Sequence, residues 1–134
     1  MAMTTAGAEP ATRDRVELRV PANAAYLAVL RTASAGLAAR LDLTLDEIED
    51  LRIAVDEASA LLLTDGAPDD ELVAVFDLEA DVLAVHVTGP ARTLPQRESF
   101  AWAVLEALVG EIETGQTSSG SFIRMRHERA NRRR

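Results

Sequence analysis

Few side chains in this sequence can do covalent or metal chemistry. None of the 134 residues is cysteine, which removes a thiolate nucleophile, a disulfide framework and any Cys-ligated zinc or iron–sulfur cluster. His86 and His127 are the only imidazoles, too few for a protein-only catalytic zinc, and neither has a partner at ligand spacing. Carboxylates are what the chain has in quantity. Between Asp42 and Glu57 it carries Asp46, Glu47, Glu49, Asp50 and Asp56 as well, with Arg52 as the single cation. The net charge of −8 is uneven: residues 122–134 hold six arginines against Glu128, leaving −13 on the rest. So acidic a body repels nucleic acid and anionic lipid and attracts a basic protein partner.

These carboxylates need elements to position them. A length of 134 residues suits one domain. Met1–Asp14 is small, polar and patternless and reads as a disordered leader without the apolar centre of a secretory signal. Val16, Leu18 and Val20 alternate with Glu17 and Arg19, predicting a half-buried strand stopped by Pro21. Asn23 can cap a helix to about Arg40, with Tyr26, Leu30, Ala33 and Leu37 as its apolar face.

Thr44-Leu45-Asp46-Glu47 has the form of a capping box, so a second helix starts at Leu45. Its stripe of Ile48, Leu51, Val55, Ala58 and Leu62 carries it to about Leu63. Strands Glu71–Leu78 and Val82–Thr88 follow as a hairpin, then a loop over Gly89–Gln96. A third helix is expected over Ser99–Glu113, with Phe100, Val104 and Leu108 on its main stripe and Trp102 beside it. A polar loop over Thr114–Gly120 and a last strand over Ser121–His127 complete the order.

The expected fold is a two-layer α/β sandwich, three helices on a mostly antiparallel four-stranded sheet. The domain spans 15–128, and 129–134 is a solvated basic tail. With no apolar run long enough to span a bilayer, the expected location is the cytoplasm.

Within this frame Leu51-Arg52-Ile53-Ala54-Val55-Asp56-Glu57-Ala58 resembles the "L-x-x-A-V-D-E-A-x-x-N" helix of the RsbW-like serine-kinase anti-sigma factors. These lie within the GHKL, or histidine-kinase-like ATPase, superfamily. The likeness runs from Val16-Glu17-Leu18-Arg19-Val20-Pro21-Ala22 to the last strand. Ser99-Phe100-Ala101-Trp102 resembles the aromatic helix of the actinobacterial anti-sigma-F subgroup. The resemblance implies a Bergerat-type fold, a homodimer, and capture of an alternative sigma factor away from RNA polymerase. It implies relief by a competing anti-anti-sigma protein of the STAS type, which kinase-competent members phosphorylate on serine with Mg-ATP.

The resemblance also locates a nucleotide site, and this chain departs from it. The family's first motif sets Glu and Asn at i and i+4, where the Glu activates the attacking hydroxyl and the Asn oxygen ligates magnesium. Glu57 matches the Glu; Leu61 replaces the Asn, and a leucine cannot bind magnesium. The second motif, Asp-x-Gly-x-Gly, corresponds to Val87-Thr88-Gly89-Pro90-Ala91. Its adenine-reading aspartate is a valine, which forfeits a hydrogen bond of roughly 1.5–3 kcal/mol. Ser99 and Ala101 stand where the third motif's phosphate-binding glycines belong.

Glu57 and Gly89 are therefore the vestigial catalytic and nucleotide-binding candidates. Read without the family, Glu57 is one more acid on an acidic helix and Gly89-Pro90 a turn after a strand. Asp46, Glu49, Asp50 and Asp56 are the candidate partner-binding residues. No metal and no cofactor is expected, or Mg-ATP if the family activity survives. Three functions stay open: a non-catalytic anti-sigma factor, an active serine kinase of the anti-anti-sigma protein, and a signalling adaptor without a sigma partner.

Overall fold

A computed structural model describes residues 14–130. Strand β1 is Asp14–Pro21; a 3₁₀ turn at Ala24–Tyr26 leads into helix α1, Leu27–Arg40, and helix α2 is Leu45–Leu62. Strands β2, Glu71–Glu79, and β3, Val82–Gly89, form the expected hairpin. Helix α3, Phe100–Val109, is followed by β4, Glu111–Thr117, and β5, Gly120–Glu128. The sheet has the order β1-β2-β3-β5-β4, every pair antiparallel.

The helices cover one face of the sheet. Alternation turns Leu72, Ala74 and Phe76, then Leu83, Val85 and Val87, then Ile123 and Met125 into that layer, where all are fully buried. Leu30, Leu51, Val55, Leu62 and Leu105 meet them from the helices. Each of these side chains other than Ala74 contributes about 1.5–3 kcal/mol by leaving water. The other sheet face is open and carries cross-strand charge pairs, among them Arg15–Asp77 at 2.7 Å and Arg126–Glu111 at 3.3 Å. His86 stacks on Phe122 on this face, with centroids 4.8 Å apart. Burial, and then the nearby Arg124 charge, push the His86 imidazole below its ordinary pKa.

The sheet has five strands where four were expected. The expected third helix stops at Val109 because Gly110 takes φ +88°, and the chain turns straight into β4. Ile112 lies three residues after Val109, so it extends the helical stripe while serving equally as an inward strand residue. Glu111, Glu113 and Gln116 are exposed on this edge strand, which gives it the composition of a loop.

Two aromatic placements also differ from expectation. Trp102, Leu105 and Val109 are the buried stripe of α3, whereas Phe100 is 82% exposed. On α1 the buried positions are Leu30, Ser34 and Ala38, and Tyr26 lies exposed before the helix. The expected leader 1–14 lies outside the described residues except Asp14, which opens β1. Of the tail, Arg129 and Ala130 are described, and both are held. Arg129 donates to the Leu41 carbonyl at 3.0 Å and pairs with Asp81, and Ala130 N–H donates to Glu47 at 2.8 Å.

Candidate functional site

Helix α2 carries the acidic residues and is fixed at its start. Thr44 Oγ1 accepts from the Glu47 N–H at 3.1 Å while Glu47 Oε1 accepts from the Thr44 N–H at 2.7 Å, closing the capping box. The second oxygen of Glu47 reaches the other end of the domain, facing His127 Nε2 at 3.3 Å beside the Ala130 N–H. His127 thus has a partner that its place in the sequence did not show. Burial opposes the Glu47 charge, but the N–H groups of Thr44 and Ala130 together with His127 outweigh it. The carboxyl is held below its usual pKa.

Glu47→Ala is expected to cost about 1–3 kcal/mol in urea unfolding, whereas Asp46→Ala, exposed on the same turn, stays within about 0.5 kcal/mol. Because the folded pKa is lowered, the Glu47 contribution is complete above the unfolded value and fades as pH falls through the folded one. The difference between wild type and Glu47→Ala should therefore shrink in acid. An equal loss at both positions would contradict this role.

The other acids divide into paired and unpaired. Asp56 bonds Arg31 of α1 at 2.6 Å, and Glu49 bonds Arg52 at 2.6 Å. The Arg52 hydrogen bond holds the Glu49 carboxyl below its ordinary pKa. Among the described residues, Asp46, Asp50 and Glu57 have no ion pair. Helical spacing sets Asp46, Asp50 and Glu57 along one stripe, with Ile53 among them, 39% exposed. Ile53 was missed from the sequence; its signal is an apolar residue off the Leu51-Val55-Ala58-Leu62 stripe.

Glu57 points to solvent, and Leu61, one turn on, packs half-buried against the core. Val87 is fully buried at the end of β3. A Cβ on Gly89 would lie 2.7 Å from the Leu62 side chain and carbonyl oxygen, so glycine is needed there for packing alone. Ala91 is also fully buried; its N–H donates to the Leu62 carbonyl at 3.0 Å and its carbonyl accepts from Ser121 Oγ at 2.6 Å. The loop is pinned further by Arg92 N–H to Asp65 at 3.1 Å and by Gln116 to the Arg92 carbonyl at 2.6 Å. A cleft of about 230 Å³ touches Gly89 and Pro90, but Arg19, Asp70, Glu71 and Ser119 are among its other walls and Glu57 is not. The two vestigial candidates do not meet in it.

At the third motif position Ser99 and Ala101 are half-buried, and the neighbouring Trp102 is packed into the core. Trp102 is 1% exposed and donates Nε1–H to the Pro95 carbonyl at 2.7 Å, tying the loop before α3 to the core. Arg97 covers its ring at 5.5 Å and pairs with Glu106 at 3.0 Å. Ser99 precedes the helix in extended conformation with its hydroxyl buried and unbonded. Among the described residues no three His, Asp or Glu side chains are placed to hold a metal ion, and no helix is long and apolar enough to cross a membrane.

Helices cover one face of a wholly antiparallel sheet, and the helix after the capping box carries the adjacent Asp56 and Glu57. No protein-family model matches the chain. It is 37% identical over 101 residues to "Anti-sigma-F factor RsbW" of Mycobacterium tuberculosis, covering 74% of this chain and 60% of that protein. It is 31% identical over 102 residues to "Serine-protein kinase RsbW" of Bacillus mycoides, covering 75% and 60%. Its fold matches the crystal structure of the RsbU and RsbW domains of Rv1364c from Mycobacterium tuberculosis. That match has a TM-score of 0.66 and 17% identity, over 87% of this chain and 32% of that one. The chain is thus similar to proteins named RsbW over about three quarters of its own length, and its match spans about 60% of the length of these curated relatives.

Proposed function

We propose that this chain is an anti-sigma factor that sequesters an alternative sigma factor without using ATP. A STAS-type anti-anti-sigma protein competes for the same surface and relieves the repression. The observation that carries the reading is the fate of the nucleotide motifs. Leu61, Val87 and Ala91 stand where the family has polar or glycine residues, and each is packed against its neighbours. A metal ligand, an adenine reader and a glycine of the adenine-binding loop are thereby exchanged for hydrocarbon. The chain works in the cytoplasm as a homodimer, with no cofactor and no direct contact to nucleic acid.

With catalysis gone, the exposed stripe of α2 carries the partner. Asp46, Asp50 and Glu57 offer unpaired charge to a basic helix, Ile53 offers an apolar centre, and Glu49 and Asp56 flank it already paired. Asp50→Arg is expected to weaken sigma-factor binding about tenfold and to flatten its salt dependence. Ile53→Ala should weaken it by a similar factor, with both unfolding midpoints close to wild type. Unchanged affinity in both variants would remove this surface from the reading.

Glu57 favours a second reading. It is the one nucleotide-motif side chain kept in type, it is exposed, and Bacillus relatives are named serine-protein kinases. Incubation with Mg-ATP and the STAS protein separates the readings. No phosphoserine is expected; transfer that disappears in Glu57→Ala would establish a kinase. A chain that retains neither a sigma factor nor a STAS protein would instead be an adaptor.

A further inference from the structure

We propose that Arg132, Arg133 and Arg134 cover the acidic stripe of α2 as an intramolecular competitor, which a basic partner must displace. The proposal rests on the α2 surface described above and adds its regulation. After β5 the chain is strapped across the foot of the domain. The Arg129 N–H donates to the Asp81 carbonyl at 2.6 Å, in the turn between β2 and β3, and its guanidinium pairs with the Asp81 carboxylate at 3.2 Å. That guanidinium also donates to the Leu41 carbonyl at 3.0 Å, just past α1. His127 faces Glu47 at 3.3 Å, and the Ala130 N–H donates to the same carboxylate at 2.8 Å. The chain is thereby held against the first turn of α2 as far as Ala130.

Beside this exit point lies charge without a partner. Glu47 is the third residue of α2, and Asp50 stands one turn above it. Glu49 and Asp56 are paired with Arg52 and Arg31. Asp46, Asp50 and Glu57 have no ion pair among the described residues. Asp46 and Asp50 are like charges at i and i+4, a spacing that repels unless a cation comes between.

The residues after Ala130 are Asn131-Arg132-Arg133-Arg134, which lie outside the described residues. Four residues span about 13–14 Å when extended. The stripe from Asp46 to Glu57 is about 16 Å long at the helical rise. The tether is therefore long enough to set three cations along three unpaired anions. Arginine stems are also apolar enough to lie over Ile53, which is 39% exposed at the middle of the stripe. Anchoring at Ala130 makes the contact intramolecular, with an effective concentration on the order of millimolar. Exposed ion pairs are individually weak, so the cover yields to a partner that offers more contacts than charge alone.

The contact is tested first in the chain without any partner. The triple variant Arg132→Ala, Arg133→Ala, Arg134→Ala should shift the amide resonances of Asp46, Asp50, Ile53 and Glu57 at low salt. In about 1 M salt, where screening acts within about 3 Å, the two spectra should coincide over α2. A labelled nona-arginine peptide should bind the triple variant roughly fivefold tighter than wild type, as for a stripe left free about one-fifth of the time. In a background of Asp50→Ala with Glu57→Ala the same three substitutions should bring no gain. That cycle separates the stripe from the bare change in net charge.

Unshifted α2 amides would overturn the cover and leave α2 standing as the partner surface. Shifted amides with equal peptide affinity would overturn the competition. An equal gain in the Asp50→Ala, Glu57→Ala background would overturn the stripe as the place where the arginines lie. Failure of the α2 surface itself reads out separately, as a sigma-factor affinity that ignores Asp50→Arg and Ile53→Ala.

Discussion

Trp102→Ala is expected to lower stability by about 3–5 kcal/mol, the cost of emptying a buried indole site. For a domain of this size that is a fall in Tm of roughly 10–20 °C. The indole opens the buried α3 stripe ahead of Leu105 and Val109, and its N–H donates to the Pro95 carbonyl at 2.7 Å. Two losses therefore add: the apolar volume, and a hydrogen bond that keeps the loop before α3 against the core. Trp102→Phe separates them, because it keeps a ring but leaves the Pro95 carbonyl unbonded, and should cost about 1–3 kcal/mol. Phe100→Ala, in the same helix but 82% exposed, should stay within about 0.5 kcal/mol. As the only tryptophan is removed, unfolding should be followed by far-ultraviolet circular dichroism. A loss under about 1 kcal/mol in Trp102→Ala would mean the loop and helix are not held as described.

Restoring the family's aspartate by Val87→Asp is expected to damage the fold rather than recover a nucleotide site. Val87 is fully buried among apolar neighbours in the sheet–helix layer. A carboxylate there has no partner, so the variant should lose about 3–5 kcal/mol at neutral pH. Burial raises the pKa of such an acid, so its penalty is smallest below the unfolded pKa and grows as pH rises through the folded value. The stability gap between wild type and Val87→Asp should therefore narrow toward pH 4. Val87→Asn has no charge to titrate, so its gap should stay level over the same range. A Val87→Asp protein as stable as wild type that also binds ATP would show that the pocket had been kept and only its reader lost.

Local signals made most of this architecture readable from the residues. The start of α2 was legible because Thr44 and Glu47 satisfy each other within one turn and a clean stripe follows. The β2–β3 hairpin was legible because alternation over Leu72–Leu78 and Leu83–Val87 is uninterrupted. Strand β4 was not, since it is an edge strand whose outward residues are polar and whose Ile112 also suits a helix. The stripes Phe100-Val104-Leu108 and Trp102-Leu105-Val109 have equally good spacing, and only the position of α2 decides which is buried.

At the candidate site the sequence located Glu57, Gly89 and the acidic helix but not their partners. Arg31 lies 25 residues from Asp56, and His127 lies 80 from Glu47. Pairs so far apart in sequence leave no local pattern. Ile53 was overlooked for the converse reason, since an apolar residue between acids is ordinary until its exposure is known.

The most direct measurement is titration of the purified chain with the alternative sigma factors of its native host, in matched buffers with and without Mg-ATP. One sigma factor should bind at near-equal stoichiometry with the same affinity in both buffers, and a STAS competitor should displace it without becoming phosphorylated. Binding that appears only with Mg-ATP, or a competitor that leaves carrying phosphoserine, would contradict the account.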